Sequence, residues 1–261
     1  SLFIYPAFLN SQSPIYQVFE NSIARYLEKH GHPDTQLKAV LFDMDGVLYN
    51  SMPFHAVSWH KSMERFGLNI SPEEAYQYEG MRGVETIKLL AKRQWNKELT
   101  DEEAANMYEE KSNEFRKCPK AEKMDGVEEL MRKIKTDGLK IVVVTGSGQR
   151  SLLEKLESEF NGLIHHELII SSFDVKHGKP NPEPYLCGLK KAGAMPWEAI
   201  VVENAPLGVR AGVAANVFTV AVNTGPLPQK MLADEGANLI FESMPSFRDS
   251  WDLLSENWKN R

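Results

Sequence analysis

The sequence predicts an α/β fold, in which a doubly wound, Rossmann-like parallel sheet carries an inserted helical domain. Short apolar runs rich in strand-forming residues recur at 38–43, 140–145, 168–171, 199–203 and 217–222. Helical patterns, such as those at 148–160 and 184–193, separate the later runs. Near-continuous apolar strands that alternate with helices are typical of a parallel sheet covered by helices on both faces.

The segment between the first two strands has a different character. From about 52 to 122, amphipathic helical patterns recur without a convincing strand. We therefore interpret residues 51–122 as a small helical domain. It would be inserted into a core domain formed by residues 34–50 and 123–261.

Both ends of the chain also carry helical patterns. Residues 14–30 place their apolar side chains on one helical face, so we interpret residues 1–33 as an N-terminal helical extension that packs on the core. A last helix around Trp251 and Trp258 is expected to pack there as well.

The composition of the 261-residue chain narrows the class of protein. Its net charge of −6, without a long run of like charges, argues against nucleic acid as the main partner. Two distant cysteines, Cys118 and Cys187, exclude a disulfide scaffold and favour a reducing compartment. The first ten residues lack the basic start of a signal peptide, and no stretch is apolar for long enough to span a membrane. We expect a cytoplasmic monomer that does not bind membranes.

Polar residues that could carry chemistry follow the predicted strands. In parallel α/β sheets, ligands bind beyond the carboxyl ends of the strands, so these residues are expected to meet at one edge although they span about 160 residues of sequence. The candidates are Asp43, Asp45, Thr145, Gly146, Ser147, Lys179, Glu203 and Asn204.

The residue types in this group point to phosphoryl transfer. A carboxylate such as Asp43 can attack phosphorus and form an acyl-phosphate, which divides one difficult displacement into two easier ones. Asp45, two residues later, could protonate the leaving oxygen and then activate water.

The same group could also supply the positive charge that phosphoryl transfer needs. Magnesium prefers oxygen ligands, which Asp43, Asp45 and Asn204 can offer. Lys179 adds a fixed cation, while Thr145 and the backbone amides near Gly146 and Ser147 can hold phosphate oxygens. The sequence therefore predicts a magnesium-dependent enzyme that acts on a small phosphorylated substrate or pyrophosphate.

Four segments resemble, in the same order, the four motifs of the haloacid dehalogenase superfamily of phosphotransferases. They are FDMDGVL at 42–48, VTGS at 144–147, KP at 179–180 and VVEN at 201–204. The resemblance extends over roughly residues 38–240, and the helical insert is similar to the four-helix cap of the β-phosphoglucomutase-like subfamily.

This resemblance implies a role for each matching residue. Asp43 would be the nucleophile and Asp45 the general acid and base. Thr145 and Lys179 would bind phosphate, and magnesium would sit on Asp43, the Asp45 carbonyl and Asn204. The fourth motif usually ends in Glu-Asp, so the asparagine removes one unit of ligand charge, and Glu203 could contribute more to the metal.

The cap departs from the pattern of the sugar phosphomutases at a second place. Those enzymes carry a lysine and, four residues on, an arginine to grip the distal phosphate, whereas this chain has Glu79 and Gly83, with Arg82 adjacent. A carboxylate at that position would repel a second phosphate. Glu79 instead resembles the branch of the subfamily that hydrolyses inorganic pyrophosphate, so we add Glu79 to the catalytic candidates and favour hydrolysis. A β-phosphoglucomutase or a sugar-phosphate phosphatase stays open, and a non-catalytic binding protein is a third alternative.

Several candidate site residues could instead have a purely structural role. His55 follows the first motif on a helix, and with Lys111 and Ser51 it could contact the substrate or simply pack inside the protein. Glu79 could equally be a surface glutamate. Glu203 could cap the helix whose start Pro206 marks.

Overall fold

A computed structural model describes residues 13–261 of the chain. The first part of the predicted N-terminal extension, residues 1–12, therefore lies outside the described residues. The elements up to residue 117 are α1 (Pro14–Lys29), β1 (Ala39–Phe42), α2 (Met52–Arg65), α3 (Pro72–Gln77), α4 (Gly83–Trp95) and α5 (Asp101–Lys117). Those that follow are α6 (Val127–Thr136), β2 (Lys140–Val144), α7 (Arg150–Leu153), α8 (Leu156–Glu159), β3 (Ile169–Ile170), α9 (Glu183–Ala192), β4 (Ala199–Glu203), α10 (Pro206–Ala214), β5 (Phe218–Val222), α11 (Gln229–Asp234), β6 (Leu239–Phe241) and α12 (Met244–Lys259).

The strands form one parallel sheet in the order β3-β2-β1-β4-β5-β6. Alternate residues of the central strand belong to different apolar layers. Val40 packs in the layer that contains α1, α6 and α12, and Leu41 packs in the layer that contains α9 and α10. The predicted doubly wound α/β fold is thus confirmed.

Two details of the prediction were wrong. The short edge strand β6 was not predicted, because its three residues carry too little pattern to separate from a loop. The single helix predicted at 148–160 is two short helices, α7 and α8. The Lys155 amide donates to the Leu152 carbonyl, three residues back, and this tighter bond interrupts the α-helical ladder.

Helices α2 to α5 form an apolar cluster of their own, which fits the predicted helical cap. Its centre includes Met63, Ile87 and Leu90, all fully buried. The chain segments that enter and leave this cluster are joined by two main-chain hydrogen bonds, from Asn50 N to Glu122 O and from Met124 N to Leu48 O, both 2.8 Å. We propose this paired crossing as the boundary of a cap domain at residues 51–122.

The N-terminal helix α1 packs on the core against the last helix. Ser13 caps it by accepting a hydrogen bond from Tyr16 N, and Pro14 occupies its first turn. The Tyr26 ring lies 5.4 Å from Phe218 and 6.4 Å from Trp258, centroid to centroid. None of the helices in residues 13–261 has the length and apolar character that crossing a membrane requires.

Asp137 at the end of α6 fixes the position of α12. Its Oδ2 accepts hydrogen bonds from Trp251 Nε1 and Ser255 Oγ, both 2.8 Å, and its Oδ1 accepts one from Lys259 Nζ at 2.7 Å. Partial burial raises the pKa of Asp137, but these donors outweigh that effect and hold the pKa below its ordinary value.

We expect Asp137→Asn to lower the free energy of unfolding by roughly 1–3 kcal/mol, because the amide cannot accept all three hydrogen bonds. Since the pKa of Asp137 is lowered in the folded state, its stabilisation is present above the ordinary aspartate pKa of 3.8 and is lost as the pH falls below it. Urea unfolding at about pH 7 and about pH 3 measures both effects. Asp252→Asn, at an exposed aspartate on the same helix, is the control. An equal loss for both variants at neutral pH would contradict the assignment.

Candidate active site

The polar residues predicted from the strand ends do meet at one edge of the sheet. They face a cavity of about 50 Å³ between this edge and the helical cap. The predicted residues that line it are Asp43, Asp45, His55, Glu79, Lys111, Thr145, Gly146 and Ser147. The other three lie directly behind this lining: Lys179 contacts Asp43, Glu203 contacts Lys179, and Asn204 contacts Glu79.

Lys179 is fully buried and joins two carboxylates. Its Nζ donates to Asp43 Oδ1 at 2.9 Å, to Glu203 Oε1 at 2.6 Å and to the Val144 carbonyl at 2.9 Å. Burial alone lowers the pKa of a lysine, but the two carboxylates outweigh it, so the pKa of Lys179 is raised and the side chain stays a cation. Burial and the charge of Glu203 raise the pKa of Asp43, and Lys179 opposes them.

Glu203 has protein partners for both of its carboxylate oxygens. Besides Lys179, its Oε1 accepts a hydrogen bond from the Tyr185 hydroxyl at 2.5 Å, and its Oε2 accepts one from the Asn204 amide at 3.3 Å. Helix α10 leaves room for it at Gly208, where a Cβ would lie 2.0 Å from Glu203 Cδ. In this geometry Glu203 holds Lys179, and the suggestion that Glu203 adds to the metal ligands stays a prediction.

Asp45 receives its hydrogen bonds from the cap side. Ser51 Oγ donates to Asp45 Oδ1 at 2.5 Å, and His55 Nε2 lies 2.8 Å from the same oxygen. Lys111 Nζ is 2.7 Å from His55 Nδ1. Because an ammonium can only donate, His55 accepts at Nδ1 and donates its Nε2 proton to Asp45.

His55 therefore contacts Asp45 directly and Lys111 reaches it through His55, and the assignment of both residues to phosphate binding stays a prediction. Burial raises the pKa of Asp45, but His55, Ser51 and Lys111 together bring it below its ordinary value. Burial lowers the pKa of Lys111 to about 8, so the group is still mostly charged at neutral pH. His55 also packs inside the protein, because its ring stacks on that of Phe115 with 4.2 Å between the two ring centroids.

Three oxygens at the edge of the cavity are buried without a hydrogen-bond partner. They are Asp43 Oδ2, Glu79 Oε1 and Asn204 Oδ1. Asn204 Nδ2 donates to Glu79 Oε2 at 3.0 Å, which brings the cap carboxylate onto the core. Gly46 leaves space for this contact, because a Cβ there would lie 2.0 Å from Asn204 Nδ2.

This oxygen set fits a divalent cation. Carboxylate and amide oxygens are the ligands that magnesium prefers, and a buried oxygen without a partner is otherwise costly. Among residues 13–261, no three His, Cys, Asp or Glu side chains form a metal-binding group, so the fit depends on the amide oxygen of Asn204. Without a cation, burial and the neighbouring Asp43 and Glu203 raise the pKa of Glu79 well above its ordinary value.

The loop after β2 forms the opposite wall. Thr145, Gly146 and Ser147 all line the cavity. Thr145 Oγ1 accepts a hydrogen bond from the Ser147 amide at 3.0 Å, and Ser147 Oγ accepts one from Gln149 N at 3.1 Å. These two hydrogen bonds fix the shape of the loop, and its role in phosphate binding stays a prediction.

The cap loop reaches the core edge through two glycines. A Cβ at Gly80 would lie 2.8 Å from Lys179 Cδ, and a Cβ at Gly146 would lie 2.4 Å from the Gly80 carbonyl oxygen. Gly80 also has a φ of +90°, which side-chain-bearing residues rarely adopt. Arg82 adds a hydrogen bond to the Lys176 carbonyl at 2.8 Å. The cap is thus closed over the cavity.

The model of one protein family, the haloacid dehalogenase-like hydrolases, matches residues 40–222, from β1 through β5. The chain belongs to this family.

Several proteins similar to this haloacid dehalogenase-like hydrolase carry the names of phosphatases, of a pyrophosphatase or of a phosphomutase. Hexitol phosphatase A of Escherichia coli (strain K12) is 31% identical over 186 residues, which cover 71% of this chain and 83% of that protein. "Putative pyrophosphatase PpaX" of Caldanaerobacter subterraneus subsp. tengcongensis is 27% identical over 84% of this chain and 94% of its own length. A solved structure named "Putative beta-phosphoglucomutase from Bacteroides vulgatus" is 54% identical, has a TM-score of 0.90, and covers 94% of this chain and 99% of that one. The chain is an enzyme of the phosphatase and phosphomutase group.

Two residues of this hydrolase that contact the site were not predicted from the sequence. Tyr185 holds Glu203, and Gln149 donates from Nε2 to Tyr108 in the cap at 3.1 Å. Each belongs to a segment with an ordinary helical or loop pattern, so no signal in the sequence separates it from its neighbours. Ser51 was only one of several possibilities, and its bond to Asp45 was not predicted.

Gly146→Ala should obstruct closure of the cap, because the new methyl would occupy the position of the Gly80 carbonyl. We expect kcat/KM for p-nitrophenyl phosphate to fall by about a hundredfold, the effect of a displacement of about 1 Å in a catalytic group. The midpoint of thermal unfolding should change by less than about 4 °C. Gly148→Ala is the matched control in the same loop, since its methyl would stay at least 3.1 Å from its neighbours. Equal activity in the two variants would exclude this steric role.

Proposed function

We propose that this protein is a magnesium-dependent phosphohydrolase that works through an aspartyl-phosphate on Asp43. Inorganic pyrophosphate or a small phosphate ester is its substrate. The observation that supports this proposal is a set of three buried oxygens without hydrogen-bond partners, from Asp43 and Glu79, which line the cavity of about 50 Å³, and from Asn204, which contacts Glu79.

The first half of the reaction uses Asp43. One oxygen of its carboxylate attacks phosphorus and a new O–P bond forms, while the leaving oxygen keeps the electron pair of the broken bond and takes a proton from the Asp45 carboxyl group. Lys179 donates to Asp43 Oδ1 at 2.9 Å, and so orients the carboxylate. Its positive charge offsets part of the charge on the transferring group.

The second half uses Asp45. Water attacks phosphorus in the phosphoaspartate, its proton passes to the Asp45 carboxylate, and the O–P bond of the acyl phosphate breaks to give phosphate and the free Asp43 carboxylate. The described hydrogen bonds from Ser51 and His55 both go to Oδ1. They orient the group and leave Oδ2 for the water.

The metal would be held by Asp43, Glu79 and Asn204, together with the Asp45 carbonyl that the family resemblance implies. When bound, magnesium supplies charge stabilisation to the phosphoryl oxygens. Thr145 and Ser147 would hold phosphate oxygens from the opposite wall through their side chains.

Glu79 is the residue that favours a hydrolase over a mutase. A mutase must retain a bisphosphate intermediate, and a buried carboxylate repels its second phosphate. The cavity of about 50 Å³ is also small for a sugar. A second candidate, β-phosphoglucomutase, is favoured by the 54% identity to the structure from Bacteroides vulgatus that carries that name.

A substrate panel separates the two candidates. We expect wild type with magnesium to release phosphate steadily from pyrophosphate, and Asp43→Asn to lower kcat by about a thousandfold or more, as the loss of a nucleophile does. Asp234→Asn, an exposed aspartate, is the control. Conversion of β-glucose 1-phosphate to the 6-phosphate without phosphate release from pyrophosphate would instead establish the mutase. Glu79→Lys should shift the preference in that direction.

Magnesium should raise the midpoint of thermal unfolding. At a concentration about a hundred times the Kd, a ligand adds about 2.7 kcal/mol of stability. Asn204→Asp should strengthen this effect, because it adds a ligand charge, and Glu79→Gln should weaken it. Titration of the midpoint with magnesium chloride tests this without any substrate. The same titration curve in wild type and both variants would show that the metal is held elsewhere.

A further inference from the structure

The loop at residues 176–178 comes directly before Lys179, and the core holds it from one side. Glu183, in the first turn of α9, accepts hydrogen bonds from the Lys176 amide at 2.7 Å and from the His177 amide at 2.8 Å. The Lys176 amide and, to a smaller extent, the His177 amide hold the pKa of Glu183 below its ordinary value. Glu183 is therefore charged at neutral pH and fixes two of the three loop amides.

The cap holds the same loop from the other side. Arg82, the residue before α4, donates from Nη1 to the Lys176 carbonyl at 2.8 Å. Glu85, in the first turn of α4, accepts a hydrogen bond at its Oε1 from the Gly178 amide at 3.4 Å. Arg82 Nη1 and Glu85 Oε1 are 4.0 Å apart, so the two side chains also attract each other. The third loop amide is thus bound by the cap, whereas the first two are bound by the core.

These cap contacts require the backbones to approach closely at Gly178. A Cβ at this buried glycine would lie 2.7 Å from the Arg82 amide nitrogen and 2.8 Å from Arg82 Cγ, closer than real side-chain carbons come. Opening of the cap would separate these atoms, so the hydrogen bonds of Arg82 and Glu85 to the loop belong to the closed enzyme. Glu183 and the loop both lie in the core, and their hydrogen bonds do not depend on the cap.

We infer that Arg82 and Glu85 form a latch that positions the closed cap, with the loop at 176–178 as its docking point. Glu183 keeps this docking point rigid. All three are positioning residues, since none of them lines the catalytic cavity. The inference rests on the proposed function only for the activity that measures it.

The latch acts on the reaction through the cap loop. Arg82 is three residues after Glu79, which the closed cap brings within 3.0 Å of Asn204 Nδ2. A cap that closes less often places Glu79 there for a smaller fraction of the time. The apparent affinity for substrate then falls in proportion to the fraction of enzyme that is closed.

Steady-state kinetics with p-nitrophenyl phosphate and magnesium test the latch. We expect KM to rise by about tenfold in Glu85→Ala and in Arg82→Ala, with kcat within about threefold of wild type, because bound substrate still completes the same closed site. Glu85→Gln keeps an acceptor for the Gly178 amide and should change KM by less than about threefold. Glu73→Ala is the matched control, because Glu73 is an exposed glutamate in the first turn of another cap helix, α3.

A double-mutant cycle tests whether the cap and the core act through the same loop. Glu183→Ala removes the rigid docking point without changing the cap. If both carboxylates work through residues 176–178, the KM effects of Glu85→Ala and Glu183→Ala should multiply to more than the double variant shows. The effects of Glu73→Ala and Glu183→Ala should multiply without such a difference.

Amide hydrogen exchange, followed by NMR, tests the latch without any turnover. In Glu85→Ala the Gly178 amide should exchange about tenfold faster, while the Lys176 and His177 amides keep their protection by Glu183. Wild type that hydrolyses no phosphate ester and no pyrophosphate would disprove the proposed function, and the exchange rates would still test the latch.

Several results would overturn the inference. An unchanged KM in Glu85→Ala would do so, as would an unchanged exchange rate at Gly178. A fall in kcat at constant KM would place the effect in the chemical step, and an equal rise in KM in Glu73→Ala would make it a general effect of charge. Loss of folding in both Glu85→Ala and Arg82→Ala would show that the two residues stabilise the fold instead.

Discussion

The candidate site depends on one buried ammonium group, that of Lys179. Its Nζ contacts carboxylates that follow or end two different strands, Asp43 after β1 and Glu203 in β4, and the last carbonyl of a third strand, β2. Without this cation, two carboxylates would face each other inside the protein, and breaking a buried ion pair of this kind costs about 3–5 kcal/mol. The lysine therefore has a structural function as well as a chemical one. It keeps the ends of adjacent strands in the register that points Asp43 Oδ2 at the cavity.

The absence of side chains at particular positions is the second constraint. Gly46 makes room for Asn204, Gly208 for Glu203, and Gly146 for the backbone of the cap loop. In each case an added Cβ would lie within 2.4 Å of a neighbouring atom of the site. The cap can therefore bring Glu79 to Asn204 because the backbones approach closely, and the closed cavity is small for the same reason.

The sequence predicts which site residues follow the strand ends, but it does not predict the side-chain contacts that helix packing creates. Asp43, Thr145 and Asn204 could be placed at one edge because apolar strands and parallel topology fix where such residues meet. The sequence did not predict that Lys111 contacts His55 and that His55 contacts Asp45, because nothing in a helical pattern shows a hydrogen bond between residues 56 positions apart. Glu203 illustrates the same limit. Its partner Tyr185 lies on α9, which packs on the sheet. Periodicity predicts which face of α9 is buried, but not that Tyr185 contacts Glu203.

The charges of the side chains around the cavity connect the fold with the proposed chemistry. Four carboxylates converge there, from Asp43, Asp45, Glu79 and Glu203, and two ammonium groups, Lys111 and Lys179, accompany them. His55 is neutral in its hydrogen-bonded form, so the formal balance is two negative charges. Burial makes such a balance costly, and the raised pKa values of Asp43 and Glu79 show the two carboxylates that would otherwise have to take up protons. A divalent cation removes the same deficit and leaves Asp43 ionised, which a nucleophile requires.

With lysine in place of Glu79 the deficit would disappear without any metal, and the site would carry an excess of positive charge once magnesium bound. That excess suits a second, distant phosphate, whereas Glu79 suits a substrate whose charge all lies next to the metal.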